Sequence, residues 1–181
     1  MKRVVTVFLG ACLFAAPIGA ETPPAPYAGQ QTRPIKALSA DDIAALLNGD
    51  GMGMAKAAEL NGYPGPRHVL DLSAQLALTP DQRRQIQAVF ERMNAAARPL
   101  GAQLVERERS LDQLFRSGDV SPDRLAAETG RIGDLQGRLR AVHLGAHLAT
   151  RALLTTDQIA LYKHLRGYDG QSAPAQHRHH G

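Results

Sequence analysis

The feature that most constrains the fold of this chain is the stretch from Leu78 to Leu154, which predicts two long antiparallel helices. The first helix begins where Thr79 can cap it, Pro80 occupies the first turn and Gln82 can complete a capping box. Its apolar residues recur at helical spacing, at Ile86, Phe90, Met93, Ala97, Leu100, Leu104, Leu111 and Leu114. A polar turn at 117–119 predicts the end of this helix.

The second helix begins at Ser121 and Pro122 and carries a matching apolar row. That row consists of Leu125, Ile132, Leu135, Leu139, Val142, Ala146, Ala149 and Leu153. Folding the chain at 117–118 places residues opposite each other when their numbers add up to 235 or 236. Arg107 and Glu128, which interrupt the two rows, then face each other with opposite charge. An ion pair between them is therefore predicted, and it supports the antiparallel hairpin.

The first 20 residues have the three parts of a secretory signal peptide: a basic pair, an apolar run and small residues that end at Ala20. We therefore predict that residues 1–20 are removed and that the protein is exported to the periplasm. Cys12 is the only cysteine, so the exported chain would contain no thiol. The alternative is that residues 9–12 form a lipoprotein processing site, which would anchor the chain to a membrane through Cys12.

The chain carries a formal net charge of +4, which in a cytosolic protein could indicate nucleic-acid binding. Export and the alternation of arginine with acidic residues argue against it, so we predict no nucleic-acid partner. Enzymatic motifs are also lacking in the sequence. The segment 143–147 has leucine where a zinc protease needs its general-base glutamate, and there is no phosphate-binding loop or nucleophile elbow. We therefore predict a non-catalytic protein that works by binding.

Composition divides the exported chain into three parts. Residues 21–38 contain four prolines and predict a flexible linker. Residues 39–168 predict the helical domain, in which short helices flank the hairpin at 39–48, 52–60, 67–76 and after Thr155. The last 13 residues, 169–181, are rich in histidine and poor in apolar residues, which predicts a disordered tail able to collect Zn, Cu or Ni loosely.

Two Leu-Thr-x-x-Gln elements, at Leu78–Gln82 and Leu154–Gln158, stand at the two ends of the hairpin. In an exported all-helical chain this pair resembles the Spy/CpxP (LTXXQ-motif) family of periplasmic proteins and its heavy-metal sensor and zinc-resistance-associated relatives. The resemblance implies an all-α, cradle-like homodimer. It also implies one of two functions: a metal-binding component of heavy-metal sensing or envelope stress, or an ATP-independent chaperone that holds unfolded periplasmic proteins.

His143 and His147 are candidate metal ligands because side chains four residues apart share one face of a helix and can reach one ion. The hairpin register brings this pair near Met93 or Glu91, either of which could add a ligand. The alternative is that both histidines are ordinary half-buried polar residues beside the apolar seam.

The family resemblance implies further ligands from the N-terminal helices, for which His68, Glu59 and Met54 are the candidates. It also implies a divalent or soft transition metal, Zn, Cu, Ni or Co, and a membrane-bound regulatory partner that detects its binding. Met52 and Met54 cannot both face one site in a regular helix, so at least one of them is expected in the core.

Arg124, Arg131 and Arg138 recur every seven residues beside the predicted seam. They could bind acidic segments of client proteins or a dimer mate. The alternative is a solvated basic face without a specific partner.

Overall fold

The computed structural model describes residues 25–170, and these contain helices and turns but no strand. Residues 25–31 belong to a different unit from the one that begins at Thr32, and they form turns and the start of a 3-10 helix, Gln30–Thr32. The predicted signal peptide with Cys12, and the histidine-rich tail from residue 171, lie outside the described residues. The α-helices described below all belong to the unit that begins at Thr32.

The described part of the chain contains six α-helices. In chain order they are α1 (Ala40–Asn48), α2 (Lys56–Glu59), α3 (Pro66–Asp71), α4 (Pro80–Ser117), α5 (Pro122–Ala152) and α6 (Thr156–Leu165). Capping boxes at Ser39, Thr79 and Thr155 start α1, α4 and α6, and Ser121 caps α5, as the sequence predicts. None of the helices in residues 25–170 combines the length and the apolar character needed to span a bilayer.

The predicted antiparallel hairpin is confirmed by the packing of α4 against α5. Its buried seam contains Ala97, Leu100 and Leu104 from α4 and Ile132, Leu135 and Leu139 from α5. The predicted ion pair is present as well, with 3.8 Å between Arg107 Nη1 and Glu128 Oε2. The antiparallel pairing and the register at Arg107 and Glu128 could therefore be obtained from the sequence. Leu125, which was predicted in the seam, is exposed.

The seam departs from the predicted register at the C-terminal end of α5. Ala149 was expected to face Ile86, but it is exposed, and Thr150 is fully buried instead. An α-helix drifts by about 20° per heptad relative to a strict seven-residue repeat, so over two heptads the buried face moves by nearly half a residue step. The same drift turns His143 and His147 into the buried face, whereas we expected them beside it.

The two Leu-Thr-x-x-Gln elements meet at the open end of the hairpin. Gln82 donates from Nε2 to Gln158 Oε1 at 2.8 Å, and Gln158 donates from Nε2 back to Gln82 Oε1 at 3.1 Å. Each glutamine also closes its own capping box, and each donates to a backbone carbonyl, Leu153 for Gln82 and Leu76 for Gln158. The repeated motif therefore joins the N-termini of α4 and α6 to each other.

Three predicted boundaries in the N-terminal part differ from the structure. The helix expected over 67–76 is limited to α3, which ends at Asp71, and residues 72–77 form turns. The helix expected over 52–60 is limited to α2, because Met52 and Gly53 adopt positive φ angles of 43° and 75° and form turns. The segment predicted as linker contains Ile35, which is fully buried in the hairpin core. The packed part of the chain therefore begins before Ser39.

Candidate metal centre

A cleft of about 500 Å³ lies between the middle of the hairpin and the segments that precede it. We call this cavity the cleft. Its lining comes from the loop after α1, from α2, α3, α4 and α5, and from the residues after α6. Five of the six sequence-predicted ligands line it: His143, His147, His68, Glu59 and Met93.

The loop that covers one side of the cleft is held in place by α4. Gly101 lets α1 pack closely, since a Cβ at this position would lie 2.0 Å from the Leu46 carbonyl oxygen. Asn94 donates to the Asn48 carbonyl at 2.7 Å and Arg98 donates to the Leu47 carbonyl at 3.3 Å, which satisfies the C-terminal end of α1. The next residues, 49–53, are thereby brought to the cleft beside His143.

His143 is 3 % exposed, and its Nε2 atom is buried without a hydrogen-bond partner in the part of the chain that the structure describes. Burial lowers its pKa below the usual histidine value, His147 acts in the same direction and Asp50 opposes it. The imidazole is therefore neutral at pH 7 and can offer a lone pair. A buried ring nitrogen without a partner is unfavourable, so a ligand at this position would relieve it.

His147 is 9 % exposed and has a fixed orientation. Its Nδ1 lies 2.7 Å from the Tyr63 carbonyl oxygen, which can only accept, so Nδ1 carries the proton and donates. The lone pair is then on Nε2. A Cβ at Gly65 would come within 2.9 Å of Nε2 and Cε1, so the absence of a side chain there lets the backbone approach this edge of the ring. A backbone acceptor that sets the tautomer in this way is a common feature of histidines that bind metals.

Glu59 lines the cleft, but both of its carboxylate oxygens have protein partners. Oε1 accepts from the Tyr162 hydroxyl, and Oε2 accepts from the Gly65 backbone N–H at 3.2 Å. Arg166 Nε lies 3.8 Å from Oε1, and His147 Nδ1 lies 3.7 Å from Oε2. Glu59 thus links α2, α5 and α6 around the histidine pair and is already engaged as an acceptor.

His68 lies at the edge of the cleft with its side chain partly exposed. Burial, followed by the charge of Arg166, lowers its pKa, while Glu59 acts in the opposite direction. Met93 from α4 and Met52 from the loop bring two thioethers to the same lining. His68 and Met93 could each add a donor to the histidine pair.

Met54 is the predicted ligand that the structure places elsewhere. It packs against the hairpin core beside Leu46 and lines a second groove. Met52 lies at the cleft in its place, because the turns at 52–53 reverse which methionine faces the histidines. Glu91, the alternative to Met93, is exposed and accepts a hydrogen bond from Gln87 within α4.

The three arginines predicted as a partner surface are exposed, and each lies beside an acidic side chain. Arg124 pairs with Asp119, Arg131 with Glu128 and Arg138 with Asp134. These neighbours offset much of the positive charge that the arginine spacing suggested.

Sequence reasoning did not find the residues that hold the histidines. Tyr63 contributes a carbonyl oxygen and Gly65 contributes open space and an N–H, and neither role depends on a side chain. Tyr162 and Arg166 are distant in sequence from Glu59, with which they interact. Nothing in the sequence of residues 63–66 indicated that this segment lies against α5.

The donor set fits a transition-metal ion. Neutral imidazoles and thioethers are ligands for soft and borderline metals, and His143 Nε2 is a buried donor or acceptor without a partner among the described residues. Within residues 25–170 no three His, Cys, Asp or Glu side chains are already gathered around one point. His143 and His147 would therefore hold the ion, with methionine or His68 completing its coordination.

A family model described as heavy-metal resistance matches residues 43–160. This range covers well over half of the chain and includes part of α1, all of α2 to α5 and most of the cleft lining. No curated protein and no solved structure matches the chain.

Proposed function

The chain belongs to the heavy-metal resistance family, and from this we propose that it is a non-catalytic periplasmic protein that binds a transition-metal ion in the cleft. The observation that carries the proposal is the pair of buried imidazoles on α5. His147 presents Nε2 because its Nδ1 is committed to Tyr63, and His143 has a buried Nε2 to which no described residue bonds. The family match agrees with the resemblance to the heavy-metal branch of the Spy/CpxP proteins.

Metal binding at this pair would reach other parts of the fold through Glu59. The Glu59 carboxylate contacts His147, Tyr162 and Arg166, so any shift of the His147 ring changes the environment of α2 and α6. We propose that this connection lets metal bias a conformational equilibrium, which a dimer mate or a membrane-bound regulatory partner detects.

Thermal unfolding with and without metal tests the proposal. A ligand that binds only the folded state stabilises it by an amount that grows with the logarithm of its affinity, so Zn, Cu, Ni or Co should raise the melting temperature. The double variant His143→Gln, His147→Gln should lose the shift, while His164→Gln, an exposed histidine of α6, should keep it. Absence of any shift with all four metals would reject metal binding.

A chaperone is the second candidate, and one observation favours it. Every residue from 115 to 127 is exposed, and this stretch presents the apolar side chains of Phe115, Val120 and Leu125. Such a surface could hold unfolded clients without metal or ATP. The test is suppression of aggregation of a denatured protein, which Phe115→Ser should weaken. Equal aggregation with and without the protein would reject this function.

A further inference from the structure

The charges around the cleft limit the kind of ion that it can hold. Three cationic side chains line it, Lys56, Arg67 and Arg166, against two carboxylates, Asp50 and Glu59, within the described part of the chain. Because electrostatic repulsion grows with the charge of the ion, a divalent ion meets twice the repulsion from each cation that a monovalent ion meets. A monovalent ion is therefore favoured by the surroundings of the histidines.

The carboxylate of Glu59, which lies 3.7 Å from His147, does not offset the excess of positive charge around the cleft. Glu59 accepts hydrogen bonds from Tyr162 and Gly65 and lies 3.8 Å from Arg166. These partners hold the carboxylate in place and already use one lone pair of each oxygen. Apart from Asp50, the donors that remain in the cleft are neutral: the two imidazoles of α5 and the thioethers of Met93 and Met52.

The arrangement of donors also differs from what divalent ions require. Zinc is held by three or four Cys, His, Asp or Glu ligands, and residues 25–170 contain no such group of three. Thioether ligands select Cu(I), and imidazole is also a suitable ligand for copper. Two neighbouring imidazoles and a methionine on the facing helix make a donor set for a soft ion with few ligands.

Resting on the proposed metal-binding function, we propose that the cleft selects a soft monovalent cation, Cu(I), over Zn, Ni and Co. His143 and His147 supply nitrogen, and Met93, on the helix that faces them, supplies sulfur. The cationic side chains around the cleft act against divalent competitors.

The experiment compares affinities for Cu(I), its redox-inert analogue Ag(I), Zn, Ni and Co in the absence of oxygen. All samples are the full chain with Cys12→Ser and with serine at His177, His179 and His180, so that neither the thiol nor the tail competes. We expect one Cu(I) or Ag(I) per chain, bound at least about 100-fold more tightly than any divalent ion, because soft donors prefer soft ions.

Methionine variants test the sulfur ligand separately. Met93→Leu keeps the apolar volume and should weaken Cu(I) and Ag(I) by at least about tenfold, the loss expected even for groups that only support a metal ligand. Met54→Leu, in the core away from the cleft, should have no effect. X-ray absorption at the copper edge should show sulfur in the wild type and lose it in Met93→Leu.

Each outcome decides between the two proposals. If Zn, Ni or Co binds at the histidine pair as tightly as Ag(I), selection of a soft monovalent ion is wrong while metal binding stands. If Met93→Leu changes neither the affinity nor the copper-edge spectrum, the assignment of Met93 as the sulfur ligand is wrong. If none of the five ions binds, both proposals fail. Unchanged melting temperatures of the metal-free variants show that a loss of affinity is not a loss of fold.

Discussion

The two ends of the hairpin contrast in how they are held. At the tip, residues 115–127, every side chain is exposed and the ion pairs are local ones such as Arg124 with Asp119. At the opposite end, which we call the base, Gln82 and Gln158 bond to each other and Tyr162 is completely buried. The two helices are therefore exposed to solvent at the tip, whereas at the base their side chains bond to residues that are distant in sequence.

The contrast shows which structural features the apolar periodicity of the sequence can predict and which it cannot. Apolar spacing predicts the hairpin between tip and base, although Ile35 and Leu46 also pack into its core. The cleft lies where α2, α3 and α6 come against the hairpin, and its chemistry depends on groups distant in sequence. Tyr162 and Glu59, for example, are 103 positions apart.

The largest expected effect comes from removing a large side chain at the base. Tyr162→Ala deletes a fully buried ring together with its hydrogen bond to Glu59, and it should lower the free energy of unfolding by about 3–5 kcal/mol. Phe115→Ala at the tip removes a ring that is 58 % exposed and should change it by less than about 0.5 kcal/mol. Urea denaturation measures both. Equal losses at the two sites would remove the distinction between tip and base.

Glycines on the two long helices provide the next test. Gly101→Ala places a Cβ 2.0 Å from the Leu46 carbonyl oxygen, so α1 must move, at a cost of about 1–3 kcal/mol. Gly137→Ala on α5 meets open space and should stabilise the protein by about 0.5–1 kcal/mol, because glycine disfavours helix. Denaturation of both variants gives the comparison. A neutral Gly101→Ala would mean that α1 is not tightly packed on α4.

Gly101→Ala should also affect the cleft, since α1 positions the loop that reaches His143. We expect weaker metal binding in this variant, measured as a smaller rise in melting temperature on adding metal, although no cleft residue has changed. Gly137→Ala is the control for the same measurement. If metal raises the melting temperature of Gly101→Ala as much as that of the wild type, the position of the 49–53 loop is not needed for metal binding.

The contact between the two glutamines allows a quantitative test of the base. Gln82→Ala and Gln158→Ala each remove a capping-box partner and the contact between the two side chains, so the double variant loses that contact only once. A double-mutant cycle should therefore show a coupling free energy of about 0.5–2 kcal/mol, as for neighbouring hydrogen-bonded groups. Additive losses in thermal or urea unfolding would indicate two independent caps.

The sequence was sufficient for features that depend on local patterns. Helix starts could be predicted from Ser39, Thr79 and Thr155 because capping acts within three residues. The pairing of Arg107 with Glu128 followed from the shared periodicity of α4 and α5. The family resemblance and the histidine spacing together pointed to five side chains that the structure brings to one cleft.

The remaining features have no local signal. Ile35 follows Pro34 in the segment that the prolines indicated to be a linker, so periodicity did not assign it to the core. Met52 replaced Met54 at the cleft because a positive φ interrupts the helix, and Thr150 replaced Ala149 because helical drift accumulates with length. Gly65 acts through its missing side chain, which only the three-dimensional contact with His147 reveals.

Acidification should lower the stability of the metal-free protein, because it favours protonation of the buried His143 in the cleft. Because the pKa of His143 is lower in the folded protein than in the unfolded chain, the unfolded state binds more protons below about pH 6.5, the ordinary histidine pKa. The His143 contribution to stability is therefore complete above that pH and is lost as the pH falls through the folded-state pKa. Urea unfolding of metal-free protein between pH 7.5 and about 5 should show this decline, since histidine titrates in this range.

The matched variant for this smallest effect is His143→Gln, which keeps a polar side chain but cannot gain a proton. It should be less dependent on pH over the same interval, even if it is less stable at pH 7.5, because the decline in the wild type comes from protonation rather than from packing. Parallel curves for the two proteins would mean that His143 accepts a proton in the fold as easily as in the unfolded chain. In that case burial would not keep the His143 ring neutral. The tip and the cleft would then differ in solvent exposure but not in how they affect the charge of a candidate metal ligand.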